Sequence, residues 1–379
     1  MALDLYDAAI AAALNKKALS GKQDTLDPNS WAGIQRIVRQ GLAKQFFHVR
    51  DQLTVAKGNE MLVFDVIGID EDTPTDAQFT HSLTLGLHNC FAELQFDNKE
   101  AMFAFDDGLA AGTYHFTIGD QPGFTGDVNK TVQFTLTSSV PSGGQLVVNN
   151  GYNATMIGAT ISVFASGTAT TASETVTMTE GSGGTDLGTL MVAVSGNLNS
   201  IYRGFLGSNN YAQSAMRQLI NSDNAAGSVW TPQTKFDRPP SWAANTAGFL
   251  HGMDPDFVAV IGKVNKRTAL NTVSDGGGYV DTIEKVFLLS QTEVYSWLNN
   301  NVNEGGPYRY FSEFSDLTAA GGGADANRIK YRNGAAKYWW LRSPYTGNAH
   351  YVRYIHSSGA LSYFNATSSY GVAPACCIV

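Results

Sequence analysis

Charge is scarce in this chain, and positive charge is nowhere concentrated. Charged residues make up 15% of the 379 positions, and the net charge is -8. No stripe of Lys and Arg appears, which excludes a nucleic-acid partner, because neutralising phosphates requires clustered cations. Cysteine is rarer still. Cys90 stands alone and Cys376 and Cys377 are adjacent, so a disulfide framework is excluded. No apolar run approaches the roughly 20 residues needed to cross a bilayer, and no membrane insertion is expected. His48, His81, His88, His115, His251, His350 and His356 show neither an HExxH pattern nor a zinc-type spacing with cysteine. Asp70-Glu71-Asp72 and Asp254-Pro255-Asp256 carry the hard oxygen ligands that calcium takes, but neither fits an EF-hand loop. Gly276-Gly277-Gly278 lacks the Lys-Ser/Thr ending of a phosphate loop. The expectation is therefore no metal, no cofactor and no catalytic constellation.

Glycine, threonine, serine and asparagine are plentiful instead, as in β-rich proteins with many turns, and the length suggests two or three domains. The N-terminal segment reads as helical over Ala8–Leu14. A second helix is expected after Ser30 as N-cap, presenting Trp31, Ile34, Ile37 and Val38 and stopping at Gly41. Phe46–Asp51 and Met61–Gly68 read as strands. Between about 100 and 190 the pattern changes to period two, with Val132, Phe134 and Leu136 alternating with polar residues, and Thr175–Thr179 repeating it. Gly143-Gly144 and Gly181–Gly184 mark turns. Further on, Asn209–Asn221 reads as a helix with Tyr211, Ala215 and Leu219 on one stripe. Val286–Leu289 reads as a short buried strand. Ser290 and Glu293 form a capping box ahead of Val294, Trp297 and Leu298.

The most informative stretch begins at Tyr338-Trp339-Trp340-Leu341-Arg342-Ser343-Pro344 and runs to the last residue. From Tyr345 to Tyr370 the chain is dense in Tyr, Ser and Asn, residues that binding surfaces favour because tyrosine offers large contact area at low entropic cost. Trp339, Trp340, Leu341, Val352, Ile355, Leu361, Val372 and Ile378 are expected in the core. In Tyr351–His356, Val352 and Ile355 are expected to point inward and the side chains between them outward. The Tyr-Trp-Trp-Leu-Arg-Ser-Pro frame, a later Ser-Gly-Ala-Leu segment and Gly-Val-x-Pro-Ala resemble the variable region of proteins diversified by retroelements in phages and prophages, the family that includes the phage major tropism determinant. The resemblance implies a C-type lectin-like domain, in the branch shared with formylglycine-generating enzymes, and a receptor-binding role. Such retroelements mutate template adenines, and an adenine-rich Asn codon cannot become Lys, Gln, Glu, Met or Trp. None of these occurs from Tyr345 to Val379. Ala373 departs from the family, which usually carries Arg there. The leading segment, from Ser30-Trp31 to Ile67-Gly68-Ile69-Asp70, also resembles gut-phage proteins with this kind of C-terminal end.

The resulting expectation is an α+β chain: an N-terminal helical and β attachment region over 1–99, a β-sandwich-like antiparallel spacer over 100–190, and a C-type lectin-like ligand-binding domain over 191–379 with its variable region near 338–379. The expected ligand-contacting, solvent-facing positions are Tyr345, Asn348, His350, Tyr351, Tyr354, His356, Ser362, Tyr363, Phe364, Asn365, Ser368, Ser369 and Tyr370. Tyr351, Tyr354 and Tyr363 are expected to be replaceable without loss of stability. The expected ligand is a bacterial surface protein or glycan, with other virion proteins docking through the N-terminal region and a homo-oligomer, a trimer by analogy with tail-associated proteins. Two acidic residues, Asp4 and Asp7, stand where a secretory signal has a basic region, so the expected location is the virion, with the protein made in a host cytoplasm. The alternatives are a virion decoration protein that binds host glycan weakly, or an oxidase of the formylglycine-generating type that uses paired cysteines.

Overall fold

The computed structural model describes residues 26–120, 126–150, 155–190, 201–295, 302–312 and 326–379. The helix expected over Ala8–Leu14 and the apolar positions Trp297 and Leu298 lie outside them. The architecture is mixed α+β with strands predominating. Among the described residues no helix is long and apolar enough to cross a membrane.

Ser30 caps helix α1 (Trp31–Arg39), its hydroxyl accepting from the Gly33 amide at 3.2 Å. Ile34, Ile37 and Val38 recur at helical spacing and are buried, as the sequence predicts. Phe46–Asp51 differs from the predicted strand. Helix α2 occupies Ala43–Phe46, and His48–Asp51 is a turn in which the Asp51 carboxylate accepts from the His48 amide at 2.7 Å and Arg50 takes φ +83°. A side chain that holds its neighbours' amides in a turn competes with extended backbone, so the strand begins only at Gln52.

Strands β1 (Gln52–Lys57), β2 (Glu60–Ile69) and β3 (Leu83–Leu87) follow, and β3 pairs antiparallel with the last strand of the chain. Strand β4 (Ala92–Gln95) leaves for a different sheet. The chain next forms β5 (Phe103–Phe105), β6 (Gly112–Ile118), β7 (Thr131–Leu136), β8 (Gly144–Val148), β9 (Thr160–Phe164), β10 (Glu174–Thr177), β11 (Thr179–Glu180) and β12 (Thr185–Leu190). These make two four-stranded sheets, β10-β9-β8-β5 and β11-β7-β6-β12. Phe103, Leu146 and Ile161 of one and Phe116, Val132 and Phe134 of the other share an apolar core. The period-two reading of 132–136 holds, and the sandwich is antiparallel except where β12 runs parallel to β6.

After the sandwich come β13 (Ile261–Gly262), β14 (Val264–Ala269), β15 (Tyr279–Glu284), β16 (Val286–Phe287), β17 (Lys330–Arg332), β18 (Ala335–Lys337), β19 (Trp339–Pro344), β20 (Tyr351–Ile355), β21 (Leu361–Asn365), β22 (Ser369–Val372) and β23 (Ala375–Ile378). The sheet β1-β2-β3-β23-β13, with β16 also on β23, joins residues 52–87 to the chain's last strand. The segment read as an attachment region thus supplies three strands to a sheet completed by the C-terminal domain. Gln35 and Arg39 of α1 donate to the Val379 carbonyl at 2.9 and 3.2 Å, fixing the end of that last strand. The helix expected over Asn209–Asn221 is broken into a 3-10 turn, Tyr211–Gln213, and an α-helix, Ala215–Asn221, because Ser214 caps the second piece by accepting from the Arg217 amide. The capping box at Ser290 and Glu293 is present as read.

Candidate functional site

The Tyr338–Tyr370 stretch forms most of a five-stranded sheet ordered β21-β20-β19-β22-β4. Its frame is apolar on both sides. Trp339 packs in one core beside Leu341 and Ile355, while Trp340 packs in the main core beside Val352. Each indole N–H has a carbonyl partner, Arg328 O and Leu94 O respectively, both at 2.9 Å, which satisfies the polar handle a buried tryptophan brings. Gly371 lets β22 run against β19, since a Cβ there would lie 2.4 Å from Cys90 Sγ and 2.8 Å from the Tyr338 carbonyl.

Register divides the expected binding residues between the two faces. On β20 and β21, Tyr351 opposes Asn365, Arg353 opposes Tyr363, Val352 opposes Phe364 and Tyr354 opposes Ser362. Because side chains alternate along a strand, Tyr351, Arg353, Tyr363 and Asn365 share one face. Tyr345 joins them, 4.5 Å from Tyr363 between ring centroids, and Tyr351 lies 5.1 Å from Tyr363. Tyr354, His356, Ser362 and Phe364 share the other face with Tyr338 and Tyr370. There Tyr338 lies 4.5 Å from His356 and Phe364 lies 6.1 Å from Tyr370. Strand β21 is the sheet edge, and its Tyr363 and Phe364 are 40% and 45% exposed on opposite sides.

Not every expected position faces solvent. Tyr363, Phe364 and Ser369 are exposed, and Tyr345, Asn348, Tyr351, His356, Ser362, Asn365, Ser368 and Tyr370 are half-buried. His350 and Tyr354 are buried, at 2% and 7% exposure. Tyr354 sits between Tyr370 at 4.7 Å and Tyr338 at 5.5 Å with its ring edge-on to Trp340, which makes it core. His350 packs across Tyr351 at 4.4 Å, and burial pushes its imidazole pKa down to about 3. Asn348 is occupied locally: its side-chain oxygen accepts from the His350 and Tyr351 amides, while Asn209 donates to the Asn348 and Tyr351 carbonyls at 2.6 and 3.0 Å. Val352 and Ile355 are core as expected, on opposite faces, but Arg353 and Tyr354 between them are buried too.

A second assembly escaped the sequence reading. Arg342 of the Trp-Trp-Leu-Arg frame forks the Glu293 carboxylate, and Lys266 donates to Glu293 at 2.9 Å, to Tyr308 at 2.6 Å and to Asp72. Tyr308 donates to Asp72 at 2.9 Å, and Ser343 donates to Glu304. All these side chains are buried. Burial opposes the ionised carboxylates, but Arg342 and Lys266 hold the Glu293 pKa below its ordinary value, and Lys266 does the same for Asp72. Glu304, whose desolvation outweighs its attraction to Arg342, is raised. The assembly floors a cleft of about 570 Å³ whose rim includes Glu71, Arg267 and Arg309. Its one sequence signal is the capping-box Glu293, which has an oxygen to spare for partners far along the chain.

The paired cysteines do not open onto this cleft. Cys377 donates to Asp72 at 3.2 Å and is fully buried, and burial pushes the Cys376 thiol up to about 12 and the Cys377 thiol well above its ordinary value. A redox pair needs an accessible thiolate, and neither sulfur supplies one. Asp254 caps the helix Pro255–Val260, and Asp70 pairs with Lys44 and His81. Among the described residues no group of three His, Cys, Asp or Glu side chains is placed to hold a metal. His350, packed on Tyr351, and His356, packed on Tyr338, belong to separate ring clusters.

Comparison with curated proteins and with solved structures finds no match. Residues 189–379 match a family described as Domain of unknown function (DUF6273). The match takes in β13 to β23, hence every expected binding residue, and excludes β1 to β4, two of which pair with β22 and β23. It spans half of the chain, and the chain belongs to the DUF6273 family.

Proposed function

We propose that this chain is a phage receptor-binding protein of the retroelement-diversified type, with a C-type lectin-like C-terminal domain that grips a bacterial surface protein or glycan. The observation that carries the reading is the edge strand β21. It presents Tyr363 and Phe364 to solvent on either side of a sheet whose interior is fixed by Trp339, Trp340 and Arg342. A frame that keeps its stability in deeply buried residues can exchange the side chains at its rim, and exposed aromatics are the usual anchors of recognition. The exchangeable set is Tyr345, Tyr351, His356, Ser362, Tyr363, Phe364, Asn365, Ser368, Ser369 and Tyr370, with His350 and Tyr354 removed to the core and Asn348 held by its turn, where it accepts from the His350 and Tyr351 amides. The protein acts in the virion as an oligomer, so that modest single-site affinities combine through effective concentration.

Two measurements test this. The neighbouring DNA should carry a reverse transcriptase and an imperfect repeat of the segment encoding Tyr338–Val379. Purified protein should bind host cells, and Tyr363→Ala with Phe364→Ala should abolish that binding while the fold persists. A locus without the repeat, together with unaltered cell binding by the double variant, overturns the reading.

A further inference from the structure

Arg353 is the one residue of the β20–β21 pair that carries a formal charge, and its surroundings are unusual for a buried cation. It is 2% exposed. Its guanidinium carbon lies 4.8 Å from the Tyr345 ring centroid and 5.3 Å from that of Tyr363, so two phenol rings cover it. Its Nε and Nη2 groups find no hydrogen-bond acceptor among the described residues. Those two N–H groups form the side-on edge of the guanidinium, the fork that matches the two oxygens of a carboxylate. Arg342 and Arg328, also buried, both turn their Nε edge to acceptors of the protein itself. Arg342 spends its other nitrogens on Glu293 and on the carbonyls of Leu288 and Glu304, and Arg328 donates through Nε to the Gly359 carbonyl.

A buried cation without acceptors is costly, because the solvation it lost is not replaced. An incoming carboxylate would relieve that cost, and the two rings that stack on the guanidinium both reach the surface. Tyr363 is 40% exposed and Tyr345 half-buried, so a ring can turn outward at the loss of a partly solvated cation–π contact and of its contacts with the neighbouring tyrosine rings. On the same face Asn365, opposite Tyr351, has a buried side-chain oxygen with no donor among the described residues. A fork of donors beside a lone acceptor, with tyrosine faces on either hand, suits a ligand that carries a carboxylate, a hydroxyl and an apolar C–H face together.

We infer that Arg353, Asn365, Tyr345 and Tyr363 form a subsite for an acidic sugar, its carboxylate on the Arg353 fork, a hydroxyl on Asn365 and its ring against the tyrosines. The inference rests on the receptor-binding reading above and narrows it from any surface ligand to a carboxylate-bearing glycan.

The test titrates the whole protein with the methyl glycoside of a hexuronic acid, with the corresponding neutral methyl hexoside, and with acetate, following the Arg353 Nε–H resonance. The hexuronic glycoside should shift that resonance and bind at least tenfold more tightly than either control. Arg353→Lys, which keeps the charge but loses the fork, should reduce this preference about tenfold. If that variant fails to fold, the comparison of three probes on the native chain still decides. Equal binding of the neutral hexoside, equal binding of acetate, or an unmoved Nε–H resonance each overturns the inference. Loss of host-cell binding in the Tyr363 and Phe364 variants alongside such a null titration leaves the receptor reading standing and the acidic-sugar subsite refuted. Unaltered cell binding in those variants, together with a locus without the repeat, refutes the receptor reading instead.

Discussion

Arg342 and Glu293 meet as a buried fork, Nη1 to Oε2 at 2.5 Å and Nη2 to Oε1 at 3.0 Å, with Lys266 on the same carboxylate. One glutamate thereby closes the capping box of a short helix, anchors the central strand of the aromatic sheet and neutralises a second cation on β14. Removing Glu293 leaves Arg342 with carbonyl acceptors alone and Lys266 with Asp72 and Tyr308, so one buried positive charge loses its counter-charge. Glu293→Ala is expected to cost about 3–5 kcal/mol of stability, read by urea denaturation. The folded-state pKa values of Glu293 and Asp72 lie below their ordinary values of 4.5 and 3.8. Their contribution is therefore complete above the ordinary values and lost as pH falls through the depressed ones. A wild-type chain whose stability holds unchanged into that acid range would contradict this.

The aromatic residues should separate into two classes. Tyr354 is core, and Tyr354→Ala should cost about 3 kcal/mol, as large-to-small changes of buried aromatics do. Tyr363→Ala should cost less than about 1 kcal/mol, because surface substitutions seldom do more. Thermal melts of the two single variants check both. Comparable losses in the two would place Tyr363 in the core.

The failure at Tyr354 shows what could be read from the sequence. The alternation at Val132, Phe134 and Leu136 and the caps at Ser30 and Ser290 depend on neighbours within a few positions, and they appear as predicted. Tyr354 depends on Tyr338, Trp340 and Tyr370 across three strands. A sheet packed on both faces removes the polar-out alternation that sequence reading relies on. Trp339-Trp340, two bulky residues in succession, was the available sign that β19 is covered on both sides. The partnership of Glu293 with Arg342 and Lys266 left no periodic trace at all. Nor did the sharing of a sheet by β3 and β23, far apart in the chain.

His350 should make the protein acid-sensitive in its own window. Burial lowers its pKa from 6.5 to about 3, so the unfolded chain binds a proton there that the folded chain refuses. Stability should fall as pH drops from about 6.5 towards 3, and be fully present above 6.5. His350→Asn, which does not titrate, should flatten that part of the urea-midpoint profile relative to wild type. Parallel profiles for the two proteins would show that the imidazole takes up its proton without unfolding.

Thiol chemistry offers a sharper test of the non-redox reading. Cys90, Cys376 and Cys377 are unbridged and buried, and burial raises the Cys90 thiol to about 11 and that of Cys376 to about 12. Modification by a disulfide reagent needs both access and thiolate, and the native chain has little of either at a pH of about 8. Labelling should therefore proceed only at the rate of unfolding, slow in buffer and rapid for all these thiols in urea. The hydrogen bond from Cys377 to Asp72 reinforces this, because the carboxylate repels a thiolate and accepts from a thiol. Rapid labelling of Cys377 alone in the native protein would mean that the cleft beside Lys266 and Tyr308 reaches the sulfur, and the oxidase alternative would then regain its nucleophile.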